Sequence, residues 1–189
     1  MNYHSTYPEP WIFLKRFFDS PGIVGSVTPS SRFLAEKMVR KCEVETCCSI
    51  IELGAGTGVF TEYIERYKTS ECQVHIFEKD PAFTNCLISK YPRLSLYSEA
   101  AQMGELISGG RIEKPELIIS GLPFAVFESS LRKRILDQAY DALTHGGKFI
   151  TFQYSLDLLK DLKKRYKTVE LDFVLLNIPP AVVYRCTKD

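Results

Sequence analysis

Residues 50–61 read Ile50-Ile51-Glu52-Leu53-Gly54-Ala55-Gly56-Thr57-Gly58-Val59-Phe60-Thr61, an apolar strand that meets three alternating glycines and opens into a helix. Small ligands bind at this place in open α/β sheets, outside the carboxyl ends of the strands. Glycine is needed there because a Cβ would block both the tight turn and the approach of a ligand to the backbone. A dinucleotide fingerprint G-x-G-x-x-G would put its third glycine at position 59, which is Val59. Glu52 stands before the first glycine, and an acid at the mouth of the loop would repel a dianionic pyrophosphate.

Working outward, brief strands are expected at 49–53, 73–78, 94–97, 116–120, 148–153, 170–177 and 181–186. The first, second, fourth and fifth are nearly continuous in hydrophobicity, as parallel strands buried on both faces are. The last two are separated by Ile178, Pro179 and Pro180, too short a link for anything but an antiparallel pair. Helical periods fill the gaps. In 130–143 the residues Leu131, Ile135, Leu136, Ala139 and Leu143 form one stripe, with Ser129 or Ser130 as cap and Gly146-Gly147 after the end. Ser30 or Ser31 caps a helix through Phe33, Leu34, Met38 and Val39 ahead of the first strand. The expected fold class is α/β: a Rossmann-like, seven-stranded, mostly parallel sheet that closes on an antiparallel hairpin, with helices on both faces.

The second strand ends in Glu78-Lys79-Asp80, with Glu78 20 residues past Gly58. An acid at that strand end can accept both ribose hydroxyls of an adenosine-containing ligand. S-adenosylmethionine carries an ammonium and a sulfonium and no phosphate, so it suits a glycine loop flanked by acids. Here the chain resembles the class I S-adenosylmethionine-dependent methyltransferases. The resemblance covers most of the chain: the E-L-G-A-G-T-G loop with Glu52, Gly54, Gly56 and Gly58, the E-K-D acid with Glu78 and Lys79, the stretch Ser98-Glu99-Ala100-Ala101, and the closing hairpin. It implies that Glu99, Ala100 and Ala101 border the adenine.

After the fourth strand comes Ser120-Gly121-Leu122-Pro123-Phe124, where amino-group methyltransferases hold their acceptor. A rigid proline turn can present carbonyl oxygens to N–H groups, and an aromatic, here Phe124, can pack on the acceptor or on the cation that forms. Ser120 is counted with the cofactor contacts as well. This loop is similar to the N-L-P-[YF] of rRNA adenine dimethyltransferases but lacks the Asn whose side-chain carbonyl would receive an adenine amino group, so nucleic acid is the disfavoured acceptor. Together with Phe13 to Pro21, Val24 to Arg32 and Pro179 to Arg185, it resembles the bacterial phospholipid N-methyltransferases. That implies an amine headgroup such as phosphatidylethanolamine as acceptor, and a lid over Gly25 to Ser31 whose Thr28, Ser30 and Ser31 reach the cofactor carboxylate or the acceptor phosphate. Two other readings stay open: an rRNA adenine N6-methyltransferase, and a protein that binds S-adenosylmethionine without catalysis.

The remaining composition narrows the class. The 189 residues carry 24 Lys plus Arg against 23 Asp plus Glu, so a broad basic face for nucleic acid is not expected. Six cysteines without C-x-x-C spacing and three scattered histidines indicate neither a metal site nor a disulfide framework. The uncharged runs 117–127 and 173–184 are broken by Gly or Pro and fall short of the roughly 20 apolar residues of a membrane span. No signal-peptide layout is expected in residues 1–10, which places the protein in the cytoplasm. We divide the chain into an N-terminal helical segment and lid, 1–40, and a cofactor-binding domain, 41–189. If residues 10–19 are helical, Trp11, Leu14 and Phe18 line one side, with Phe13 and Phe17 beside them and Lys15 and Arg16 toward the other. Such a helix either lies on an anionic inner membrane face or covers the sheet.

Overall fold

The computed structural model describes residues 32–40, 42–177 and 179–189. Seven strands form one sheet: β1 (Ser49–Leu53), β2 (Gln73–Phe77), β3 (Ser95–Tyr97), β4 (Leu117–Ser120), β5 (Lys148–Gln153), β6 (Thr168–Val174) and β7 (Ala181–Thr187). Their order is β3-β2-β1-β4-β5-β7-β6, with β7 antiparallel to both of its neighbours. The chain leaves β1 toward β2 on one side and later returns to β4 on the other. The carboxyl end of β1 is therefore the point where strand order reverses, the natural crevice of such a sheet.

Two helical layers cover the sheet. On one face α1 (Arg32–Val39), α2 (Val59–Tyr67) and α3 (Pro81–Lys90) contribute Leu34, Met38, Ile64 and Leu87 to a core that includes Ile50 and Ile76. On the other, α4 (Met103–Ser108), α5 (Ser129–Ala142) and α6 (Leu159–Lys163) bring Met103, Ile135, Leu136 and Leu162 against Ile51, Ile118 and Phe149. β1 and β4 are buried at every position, which is why both read as unbroken apolar runs. None of the helices, as far as they are described, is long and apolar enough to cross a membrane.

Several boundaries differ from expectation by one to three residues, and two have a local cause. β6 ends at Val174, opposite Ala181, and the chain turns at Leu175 and Leu176. The Asn177 side chain donates to the Pro179 carbonyl at 2.7 Å, which holds this turn closed. α5 begins at Ser129 with Glu128 as its N-cap and no side-chain capping bond, so the serines lie in the first turn.

Candidate functional site

Gly54, Gly56 and Gly58 all have positive φ, at 74°, 54° and 82°, a conformation open to glycine at little cost. The loop they form is held from both neighbouring strands. Gly54 donates its N–H to the Phe77 carbonyl of β2 at 2.7 Å, and beyond β4 Gly121 donates to the Leu53 carbonyl at 2.8 Å. Glu78 closes the arrangement: its carboxylate accepts the Gly56 N–H at 2.7 Å and the Asp80 N–H at 2.9 Å. Each carboxylate oxygen thus has one protein partner and keeps lone-pair capacity for a ligand hydroxyl.

A cavity of about 400 Å³ opens beside the loop. Gly54, Glu78, Asp80 and Ser98 line it together with the apolar Phe77, Pro81, Phe83, Ala100, Ala101, Leu122, Phe127, Leu131 and Ile135. Lys79 and Glu99 border it and pair at 3.4 Å, both with solvent-exposed side chains. A slot of alanine, leucine and phenylalanine suits a flat heterocycle, and the adjoining carboxylate suits a ribose. Pyrophosphate fits poorly, because the Gly56 amide that would serve it already donates to Glu78. Among the described residues no group of His, Cys, Asp or Glu is arranged to hold a metal ion.

The structure moves one acid away from its expected place. Glu52 is fully buried within β1, beneath the loop and not at its mouth, and it accepts a hydrogen bond from Thr61 Oγ1 of α2 at 2.7 Å. Burial pushes its carboxyl up to about 8, opposed by the Thr61 bonds and assisted by the nearby charge of Glu78. The repulsion argument from Glu52 therefore falls, and Glu52 instead ties β1 to the first turn of α2.

The Ser120-Gly121-Leu122-Pro123-Phe124 stretch also differs in part. Leu122 lines the cavity, but Phe124 is wholly buried in the core, edge-on to Phe127 and Phe149. Beside Phe77 and Phe83, the aromatic that this part of the chain brings to the cavity is Phe127. The carbonyls of the turn are engaged as well: Leu122 O accepts from Phe124 N at 3.0 Å and from Gln153 Nε2 at 3.1 Å, and Pro123 O accepts from Val126 N. Leu122 O is thereby taken by two donors, while Pro123 O, with one, keeps a lone pair. Ser120 is buried and its hydroxyl accepts the Leu122 N–H at 3.3 Å. Thr28, Ser30 and Ser31 lie outside the described residues.

The glycine loop and the stretch after β4 touch backbone to backbone. A Cβ on Gly121 would lie 2.6 Å from the Gly54 carbonyl oxygen, and one on Gly54 would meet Leu122 Cδ2 at 2.8 Å. A side chain at position 121 therefore has no room while the two segments keep this contact. Gly121→Ala is expected to cost about 2 kcal/mol through the forced shift of the loops, and urea denaturation of the two proteins measures it; equal stability would show that the contact is not tight.

Sequence reasoning missed Phe83, Phe127 and the inward faces of Leu131 and Ile135. A signal for the first was present: Asp80 caps α3, accepting the Ala82 N–H at 2.8 Å, with Pro81 at the first helical position. That Asp-Pro pair marks a helix start, and Phe83 follows it directly.

No family model matches the chain. It is 27% identical over 184 residues to a protein of Singulisphaera acidiphila named ornithine lipid N-methyltransferase, covering 93% of this chain and 94% of that one. Among solved structures, a precorrin-6y C5,15-methyltransferase from Geobacter metallireducens aligns with a TM-score of 0.67 at 13% identity, covering 87% of this chain and 94% of the other. N-methyltransferase NodS from Bradyrhizobium japonicum in complex with S-adenosyl-l-homocysteine aligns at 0.63 and 11% identity, covering 82% and 87%. The architecture is that of the class I methyltransferases.

Proposed function

We infer that this chain, a class I S-adenosylmethionine-dependent methyltransferase, transfers a methyl group to the nitrogen of an amine-bearing lipid. The acceptor class is carried by one observation, the likeness across nearly the whole chain to a protein named for N-methylation of an ornithine lipid. Phosphatidylethanolamine offers the same primary amine and is the second acceptor of this class. The cofactor, S-adenosylmethionine, supplies a sulfonium methyl open to attack by a lone pair. What the described residues contribute is seating: Glu78 for the ribose, the Ala100, Ala101, Phe127 and Ile135 slot for the adenine, and Lys79 and Glu99 at the rim. An amine headgroup is protonated near neutral pH, so it must lose a proton before attack.

The absence of an Asn side chain at Gly121 weighs against adenine as acceptor. Purified protein given cofactor labelled in the methyl group, with lipid extract in one reaction and ribosomal RNA in the other, separates the readings. Label is expected in ornithine lipid or phosphatidylethanolamine on thin-layer plates. Label in RNA would overturn the lipid assignment, and cofactor binding with transfer to neither would favour a non-catalytic cofactor-binding protein.

A further inference from the structure

The β6–β7 hairpin carries a surface that the cofactor site does not use. Gln153 at the end of β5 pairs with Val182 near the start of β7, and Val174 pairs with Ala181. The turn after Val174 therefore stands at the carboxyl edge of the parallel strands, the edge that also carries the glycine loop and Glu78. Surface turns normally present polar side chains. This one presents Leu175 at 76% exposure and Leu176 at 67%, with Phe173 at 61% beside them and Phe33 of α1 at 55%. With Lys37 and Arg40 they border an open groove of about 520 Å³.

We propose that this edge docks on a phospholipid bilayer, Leu175, Leu176 and Phe173 entering the acyl boundary. The docking stands by itself; its purpose, bringing an amine headgroup to the catalytic edge, rests on the lipid reading above. Area and charge favour a membrane over a protein partner. A patch of four side chains amounts to a few hundred Å², short of the roughly 800 Å² per partner that a stable protein complex uses. The surrounding charges are balanced: Arg40 pairs with Glu36, Lys37 with Asp172 at 3.6 Å, and Arg185 with Glu170 and Asp172. Among the described residues these charges sum to zero, so apolar insertion carries the binding. The long Lys37 and Arg40 side chains can stay at headgroup level as the apolar tip enters.

Flotation of the full chain with extruded phosphatidylcholine vesicles, with and without phosphatidylglycerol, tests this against the double variant Leu175→Asp, Leu176→Asp. Wild type is expected to float with both compositions and to remain bound at about 0.5 M salt, where surface electrostatics are screened. The variant is expected to lose at least about tenfold in partitioning, while its affinity for S-adenosyl-l-homocysteine is unchanged. A wild type that does not float, or a variant that floats equally well, overturns the proposal. So does unchanged flotation with a lowered Tm, which would mean that residues 1–31 cover the patch, or with loss of a dimer in sedimentation, which would mean that a second copy does. Flotation without methyl transfer to lipid overturns the acceptor assignment and leaves the docking surface standing.

Discussion

Glu78→Ala is expected to raise the Kd for S-adenosyl-l-homocysteine about 100-fold while the protein stays folded. The carboxylate has two tasks in the geometry: it holds the Gly56 and Asp80 amides at 2.7 and 2.9 Å, and it faces the cavity where the ribose would lie. Two hydrogen bonds to a charged acceptor, at about 1.5 kcal/mol each, sum to roughly 3 kcal/mol, or about two orders of magnitude in affinity. Loss of the two amide contacts adds loop disorder to the same deficit. Because Glu78 lies at the rim of the core and not within it, stability should fall by only about 1–2 kcal/mol. Glu78→Gln keeps one acceptor oxygen and should lose about tenfold. Calorimetric titration of the three proteins measures the series, and an unchanged Kd for the alanine variant would remove Glu78 from the ribose site.

The glycine loop could be read so far because its physics is local: alternating glycines after a buried strand admit few backbone paths, and all three take positive φ. The closing hairpin was legible for a similar reason, since the link from Leu175 to Pro180 is too short for a crossover. What escaped is what depends on the side to which a residue turns. In a strand buried on both faces, every side chain is inside, so apolar periodicity says nothing about whether Glu52 faces the ligand or the helix behind it. The neighbours decide: Ile51 and Leu53 pack toward α5, Ile50 toward α1 and α2, and Glu52 follows Ile50 onto Thr61. Phe124, expected at the acceptor, lies in the core while Phe127 lines the cavity, for a related reason. They sit three apart across a short 3₁₀ turn, Phe124–Val126, and nothing in the local pattern tells which ring enters the core.

The burial of Glu52 makes the stability of the fold depend on pH in a definite direction. Its carboxyl is raised from 4.5 to about 8, first by burial and further by the charge of Glu78, against the Thr61 hydrogen bonds. Below pH 4.5 folded and unfolded chains both hold the proton and no difference arises. Between 4.5 and 8 the unfolded chain releases it and the folded chain keeps it, so stability falls as pH rises, by at most about 1.4 kcal/mol per pH unit. The accumulated loss is on the order of 4 kcal/mol at pH 8 and less than about 1 kcal/mol at pH 5. Glu52→Gln has nearly the same shape, keeps an acceptor for the Thr61 hydroxyl and has no proton to lose. Its amide NH2 needs a partner where Glu52 Oε1 has none, which offsets about 1–2 kcal/mol. The variant should therefore be more stable than wild type by about 2 kcal/mol at pH 8 and no more stable at pH 5. Urea denaturation at both pH values measures this, and parallel pH dependence in the two proteins would show that Glu52 titrates normally. Glu78→Ala supplies an internal control, because removing the neighbouring charge lowers the Glu52 carboxyl and should flatten the same slope in part without abolishing it.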